Sequence, residues 1–162
     1  MKLFAIIPYV PDLVRVRPYQ ILRGLVGRGH SVTLLTLVST REEAAAVVHL
    51  ENLGIKVEAF ALTKSRAYTN CLKAVPSALP LQAVYCWQPT LAARAAQLCA
   101  RESFDAIHIE HLRGVQYARF LRDSHPQQTL PILWDSVDNI SHLFRQAAAN
   151  EKSALKRTLR SL

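Results

Sequence analysis

The sequence predicts an α/β fold, namely one three-layer Rossmann-like domain with a mainly parallel sheet and helices on both faces. Short continuous apolar runs, typical of strands covered on both faces, recur along the chain, and amphipathic helical stretches separate them. The chain has 162 residues, 50% of them hydrophobic, which suffices for one core but not for two domains of ordinary size. Residues 1–162 are therefore expected to form a single domain.

The amino-terminal part contains a complete β-loop-α-β unit. Residues 3–7 are an apolar run ended by Pro8, and residues 32–38 are a second run rich in β-formers. Between them, apolar residues at spacings of three and four follow Pro18, which suits a first helical turn because its missing N–H is not needed there. Residues 27–30, Gly-Arg-Gly-His, tolerate the positive φ of a helix end. The crossover is predicted to be right-handed.

The rest of the chain continues the alternation of helix and strand. Thr40 and Glu43 predict a capping box for a helix that Gly54 closes. The third strand alternates apolar and charged residues, which indicates a position near the edge of the sheet. The other predicted elements are helices at 68–75, 89–102, from 114 and from about 141, and strands at 55–60, 106–109 and 131–134.

The loop at residues 8–17 is the first candidate site, because parallel sheets bind ligands at the carboxyl ends of their strands. It is longer than a bare connection requires and contains Asp12, Arg15 and Arg17. Guanidinium groups suit phosphate or carboxylate, so Arg15 and Arg17, with Asp12 beside them, are predicted to contact a ligand that carries such a group. The alternative is surface charge, although cations are unfavourable near a helix start. Neither the dinucleotide motif G-x-G-x-x-G nor the P-loop motif is present.

The fourth predicted strand brings Glu110, His111 and Arg113 to the same edge. Glu110 and His111 are candidate catalytic residues that orient or deprotonate an acceptor hydroxyl, since histidine titrates near neutral pH. The alternative is a salt bridge with Arg113. After the fifth strand, Asp138 and Asn139 are predicted to hydrogen-bond sugar hydroxyls, with a turn and a helix N-cap as the alternative.

No metal site is predicted. Strand alternation places His108 and Glu110 on one face and His111 on the other, and no further His/Cys set completes four ligands. His108 is instead interpreted as a core histidine. The three cysteines form no C-x-x-C pair and are interpreted as reduced, packed thiols.

The formal charge of +8 predicts an anionic partner. A basic cluster at residues 152–160 lacks an aromatic platform, so nucleic acid is not the expected partner and a solvated or interface face is favoured. The sequence has no apolar run of about 18 residues and no signal peptide. The protein is therefore expected to be soluble and cytoplasmic.

Two stretches carry a resemblance to a known family. The Arg-Pro-Tyr helix start at 17–19 and the stretch Arg-Gly-His-x-Val-Thr-Leu-Leu-Thr at 28–36 resemble the amino-terminal domain of GT-B glycosyltransferases. The closer likeness is to the family 4 retaining sugar transferases of bacterial envelope and exopolysaccharide pathways, which residues 79–107 also resemble. Many members have a Gly-Gly pair in the first loop, where this chain has Leu13 and Val14.

The resemblance implies retaining transfer from a nucleotide sugar to a glycan or lipid-linked acceptor, with no metal or other cofactor. The acceptor would lie on this domain and the nucleotide mainly on a carboxyl-terminal domain absent from this chain, so these residues alone are expected to be inactive. A family histidine beside the donor sugar corresponds to His111, with His108 as an alternative match. Peripheral contact with an anionic membrane is also expected. The alternative function is a stand-alone Rossmann-like or flavodoxin-like binding module whose basic face binds an anionic partner.

Overall fold

The computed structural model describes residues 1–77, 79–124 and 130–136, and these form an α/β fold around a five-stranded parallel sheet. The strand order is β3-β2-β1-β4-β5. The strands are β1 (Lys2–Ile7), β2 (Ser31–Val38), β3 (Lys56–Ala61), β4 (Ala106–Glu110) and β5 (Ile132–Asp135). The helices are α1 (Val16–Gly27), α2 (Arg41–Asn52), α3 (Lys64–Ala74), α4 (Leu81–Tyr85), α5 (Pro89–Arg101) and α6 (His111–Ser124). The predicted parallel sheet and the edge position of the third strand are confirmed.

Two apolar clusters, one on each face of the sheet, form the core. In β1, Phe4 and Ile6 belong to one cluster, whereas Ala5 and Ile7 belong to the other, because successive strand residues point to opposite faces. The first cluster includes buried residues of α5 and α6, and the second includes buried residues of α1 and α2. The central strands are thus covered on both faces, which explains their continuous apolar runs and confirms the three-layer architecture.

Helix ends follow the predicted signals, with one difference. Gly29 and Gly54 adopt φ values of 78° and 88° after α1 and α2, a region that favours glycine. The Thr40 side chain accepts a hydrogen bond from the Glu43 N–H, as predicted for an N-cap. The Glu43 carboxylate, however, accepts from the Ser39 N–H rather than from the N–H of Thr40. The reciprocal hydrogen bond of the capping box is therefore donated by Ser39, the residue before the N-cap.

Two helices begin earlier than predicted. Helix α3 begins at Lys64, four residues before the predicted start at 68, because the Thr63 side chain caps it by accepting a hydrogen bond from the Arg66 N–H. Helix α6 begins at His111, three residues earlier than the predicted start at Gly114, because the chain turns sharply at His111 with a φ of 66°. Residues of the stretch before α5 form the short helix α4, for which the sequence showed no clear period. Asp138, Asn139, the last predicted helix and the basic cluster at 152–160 lie outside the described residues.

The cysteines and the lengths of the helices bear on two further predictions from the sequence. All three cysteines are thiols, and Cys86 and Cys99 are buried, which raises the pKa of each to about 11. Among the described residues, no helix is both long and apolar enough to cross a bilayer.

Candidate functional site

Arg17 connects two strand ends at the carboxyl edge of the sheet. Its Nη2 lies 2.6 Å from Asp135 Oδ2 at the end of β5, and its Nη1 lies 3.7 Å from Glu110 Oε1 at the end of β4. The hydrogen bond with Asp135 raises the pKa of the Arg17 guanidinium. The Arg17 side chain is nevertheless 51% exposed, so about half of it faces solvent.

Glu110 is the most occluded charged residue at this edge. Its side chain is 0% exposed, and neither carboxylate oxygen has a hydrogen-bond partner among the described residues. His108, two residues earlier on the same face of β4, brings Nε2 to 3.3 Å from Glu110 Oε2. Glu110 therefore has two charged or titratable neighbours, Arg17 and His108, but neither gives it a hydrogen bond. The predicted alternative salt bridge with Arg113 is not formed; the Arg113 guanidinium lies 5.8 Å from the ring centroid of Tyr85.

His111 occupies a tight turn between β4 and α6. Its φ of 66° lies in the left-handed region, where a non-glycine residue costs about 1 to 3 kcal/mol and which recurs at functional sites. The ring Nδ1 accepts a hydrogen bond from the Arg113 N–H across 3.2 Å, and the ring meets Tyr9 edge-on at 6.2 Å between centroids. The His111 carbonyl accepts from Trp134 Nε1. Arg113 and Tyr9 therefore contact the ring, whereas Trp134 holds the His111 backbone.

The turn at His111 depends on close packing between α6 and the sheet. A Cβ atom at Gly114 would lie 2.7 Å from Cγ2 of Ile109, which is fully buried. Only glycine allows α6 to lie this close to β4.

The loop between β1 and α1 is stabilised by its own polar side chains. Asp12 Oδ1 accepts hydrogen bonds from the N–H groups of Val14 and Arg15, at 2.9 and 2.6 Å. Arg15 Nη1 donates to Glu43 of α2 and to the Val10 carbonyl. Asp12 and Arg15 therefore order the loop, whereas Arg17 extends to the other strand ends.

Tyr9 connects this loop to His111. The Arg15 guanidinium lies over the Tyr9 ring, 5.1 Å from its centroid. Burial, with a smaller contribution from the negative charge of Glu110, raises the pKa of Tyr9 to about 12. The Tyr9 hydroxyl therefore stays protonated at neutral pH and is available as a hydrogen-bonding group rather than as a base.

The structure brings together a trio that the sequence analysis did not combine. His108, Glu110 and Asp135 each offer a ligand atom, and these atoms lie within 4.8 Å of one another. The third candidate metal ligand considered from the sequence was His111, and Asp135 was not among the candidates. A signal existed, because Glu110 and Asp135 each end a predicted parallel strand, and the observed register pairs them directly. Both residues thus extend from the same level of the sheet.

A second surface feature lies on α3. Tyr68, Leu72 and Val75, spaced four and three residues apart, are 66%, 73% and 67% exposed and form an apolar stripe. No aspartate or glutamate occurs between residues 59 and 101, whereas Lys64 and Lys73 lie on α3 itself. This helix therefore combines an exposed apolar stripe with positive charge.

A cavity of about 340 Å³ adjoins this surface. Its lining includes Asn70 and Lys73 of α3, Val84 of α4, and Gln116 of α6. Trp87, between α4 and α5, also lines it. The lining combines polar and apolar side chains, and the cavity is open to solvent.

Comparison with known proteins supports the fold and does not identify a family. No protein-family model matches the sequence, and no curated protein matches it significantly. The C-terminal domain of a hydrogenase from Pyrococcus furiosus is similar in structure, with a TM-score of 0.56, 17% identity, and coverage of 83% of this chain and 89% of that domain. A predicted subunit of tRNA methyltransferase from Methanocaldococcus jannaschii has a TM-score of 0.39, 11% identity, and coverage of 82% and 67%.

The architecture and the first of these likenesses define the class: the chain is a Rossmann-like α/β domain. The identity of 17% shows the fold alone and carries no information on activity.

Proposed function

We propose that this chain is the acceptor-side, amino-terminal part of a retaining GT-B glycosyltransferase, which moves a sugar from a nucleotide sugar to a glycan or lipid-linked acceptor. The observation that supports this most is the strained position of His111 at the carboxyl end of β4. The sequence resemblance assigns the donor-side histidine of the family to this residue. A costly backbone conformation at such a position is typical of a functional site.

His111 has a suitable chemistry for sugar recognition. Its Nδ1 accepts the Arg113 N–H, so in the neutral ring the proton resides on Nε2. A neutral imidazole with this tautomer is a hydrogen-bond donor to a sugar or phosphate oxygen. Tyr9, protonated and in edge contact with the same ring, adds a hydroxyl on the β1 side.

Arg17 is proposed to contact the anionic part of a lipid-linked acceptor. Half of its side chain is exposed, while Asp135 and Glu110 hold the guanidinium at the strand ends. Glu110 itself is fully buried, so its proposed role is to position Arg17 and not to touch the acceptor. Asp12 and Arg15 are proposed to support the same function indirectly, because their hydrogen bonds define the loop.

The first experiment is NMR titration of the isotopically labelled chain with geranyl diphosphate, a disaccharide, UDP and GDP. We expect shifts at Tyr9, Arg17 and His111 with geranyl diphosphate or the disaccharide, and none with UDP or GDP, since the nucleotide is assigned to a second domain. His111→Ala should abolish the shifts, whereas His49→Ala, which changes a histidine paired with Tyr19, should retain them.

The same titration separates the two candidate functions. Binding of UDP or GDP by this chain alone would support a self-sufficient binding module and contradict the acceptor-side assignment. Turnover of a sugar nucleotide by the isolated chain at ordinary enzymatic rates would contradict it as well. The proposed transfer needs no metal or other cofactor on this domain.

The α3 surface supports a lipid-linked acceptor and a location at the cytoplasmic face of an anionic membrane. An exposed apolar stripe flanked by lysines can insert among acyl chains while the cations meet anionic headgroups. Sedimentation with phosphatidylglycerol vesicles, compared with phosphatidylcholine vesicles, tests this contact. Leu72→Glu should abolish sedimentation, and Val48→Glu, at an exposed apolar position of α2, should not. Equal binding by both variants would contradict the assignment.

A further inference from the structure

We propose that His108, Glu110 and Asp135 form a binding site for a divalent transition-metal ion, such as Zn²⁺ or Mn²⁺. One imidazole and two carboxylates form a ligand set that suits these ions. The ion is not assigned to the sugar-transfer step. Because Glu110 and Asp135 also hold Arg17 in the function proposed above, metal binding would release Arg17 from the strand ends.

The backbone already aligns the three ligands. His108 and Glu110 are two residues apart on one strand and point to the same face, and Asp135 pairs with Glu110 in the register of β4 and β5. All three ligand atoms lie within 4.8 Å of one another, and His108 Nε2 is 3.3 Å from Glu110 Oε2. Bonds of about 2.1 Å to a tetrahedral metal separate neighbouring ligand atoms by about 3.4 Å. The imidazole and the buried carboxylate are therefore already at a ligand spacing.

Buried polar atoms without hydrogen-bond partners favour a bound cation at this site. His108 Nε2 and both Glu110 carboxylate oxygens are buried and have no hydrogen-bond partner among the described residues. Glu110 is 0% exposed and the His108 side chain only 13%. Buried polar atoms are almost always bonded, and an unsatisfied group commonly marks a bound ion or water. These atoms belong to two of the three side chains whose ligand atoms lie within 4.8 Å of one another, which favours an ion bound by His108, Glu110 and Asp135.

Arg17 is the competing cation. Its guanidinium pairs with Asp135 at 2.6 Å but stays 3.7 Å from Glu110, so it neutralises the acids without bonding to the buried one. Because half of its side chain is exposed, Arg17 can withdraw into solvent when a metal binds Asp135. The prediction from the sequence that no metal binds considered His111, which starts α6 instead of extending β4.

The test is calorimetric titration of the metal-free full chain with Zn²⁺ and Mn²⁺, together with the visible spectrum after addition of Co²⁺. We expect one equivalent of at least one of these ions to bind. His108→Asn and Asp135→Asn should each weaken binding by about tenfold or more, the scale of losses at metal sites. Asp135 is partly exposed at an edge strand, so Asp135→Asn remains informative if His108→Asn does not fold.

Matched controls change the same residue types elsewhere. His49→Asn alters a histidine that contacts Tyr19, and Asp105→Asn alters an aspartate that accepts from the Lys2 N–H at the opposite end of the sheet. Neither should change metal affinity. Binding that survives both His108→Asn and Asp135→Asn, or the absence of binding by all three ions, would overturn the site.

A second variant tests the competition directly. Arg17→Gln removes the competing charge and should tighten metal binding, whereas Arg15→Gln, at the N-cap of α1 and paired with Glu43, should leave it unchanged. A purely structural ion-pair cluster predicts no metal binding in either variant. Unchanged or weaker binding by Arg17→Gln would also overturn the proposal.

Discussion

The hydroxyl of Tyr117 donates a hydrogen bond to the Cys86 carbonyl across 2.6 Å and thereby connects α6 to the turn after α4. The same hydroxyl accepts the Gln88 N–H at 2.9 Å, at the start of α5. Tyr117 is fully buried, which raises the pKa of its hydroxyl, and Trp87 stacks on its ring at 5.1 Å. The Tyr117 side chain therefore connects α6 to the end of α4 and to the start of α5, next to the cavity that α3 helps to line.

Tyr117→Phe is predicted to destabilise the protein. Loss of the hydroxyl leaves the Cys86 carbonyl and the Gln88 N–H without this partner in a buried region, which costs about 1 to 3 kcal/mol of unfolding free energy. Chemical denaturation measures the change. Tyr68→Phe removes a hydroxyl at a position that is 66% exposed and should have no measurable effect. Equal stability of the two variants would contradict the assigned role of Tyr117.

Gly114→Ala is predicted to disturb the junction of β4 and α6. The added methyl would lie 2.7 Å from Cγ2 of the buried Ile109, and overpacking of this kind costs about 1 to 3 kcal/mol. Gly27→Ala, at the end of α1, meets nothing within 4 Å and serves as the control. Thermal unfolding should show a lower midpoint for Gly114→Ala only. A normal midpoint would mean that α6 can move away from the sheet at no cost.

Asp12→Ala is predicted to loosen the loop between β1 and α1. The carboxylate accepts two backbone N–H bonds, from Val14 and Arg15, and alanine removes both. Amide hydrogen exchange at these two residues should become faster, while exchange in β1 stays unchanged. Asp12→Asn retains an oxygen acceptor and should preserve most of the protection. If Asp12→Ala leaves exchange unaltered, other contacts hold the loop.

The pair of Glu58 and Arg94 predicts a pH dependence of stability. Two hydrogen bonds, at 2.7 and 2.8 Å, join β3 to α5, and the guanidinium lowers the pKa of Glu58 below its ordinary 4.5. A lowered folded-state pKa contributes stability above pH 4.5 that is lost as the pH falls through the folded value. A double-mutant cycle with Arg94→Met and Glu58→Gln should therefore show coupling at pH 7 that disappears in acid. Coupling that persists below the folded pKa would contradict this linkage.

Much of the fold could be predicted from the sequence because local rules decide it. The central strands are covered on both faces, so β1 and β2 appear as unbroken apolar runs. The alternating charges of β3 predict its edge position correctly, although Glu58 is half-buried and pairs with Arg94 of α5. Thr40 as an N-cap and Gly54 after a helix end are similarly local signals.

The candidate site was less predictable. The sequence indicated that Arg17, Glu110 and His111 lie at one edge, because parallel strands share a carboxyl end. It did not indicate that Arg17 pairs with Asp135, that Asp12 bonds within its own loop, or that Arg15 bonds to Glu43 of α2. Loop conformation and side-chain pairing between distant residues leave no periodic trace in the sequence.

The sequence by itself determined the fold class, the covered and exposed faces of the strands, and the edge at which polar residues gather. The tertiary structure decided which of those residues meet. The register of β4 and β5 brings Asp135 to Glu110 and His108, and the close packing of Gly114 lets His111 turn into α6. Periodicity follows from the local geometry of a helix or strand, whereas register and close packing depend on the contacts of the whole core.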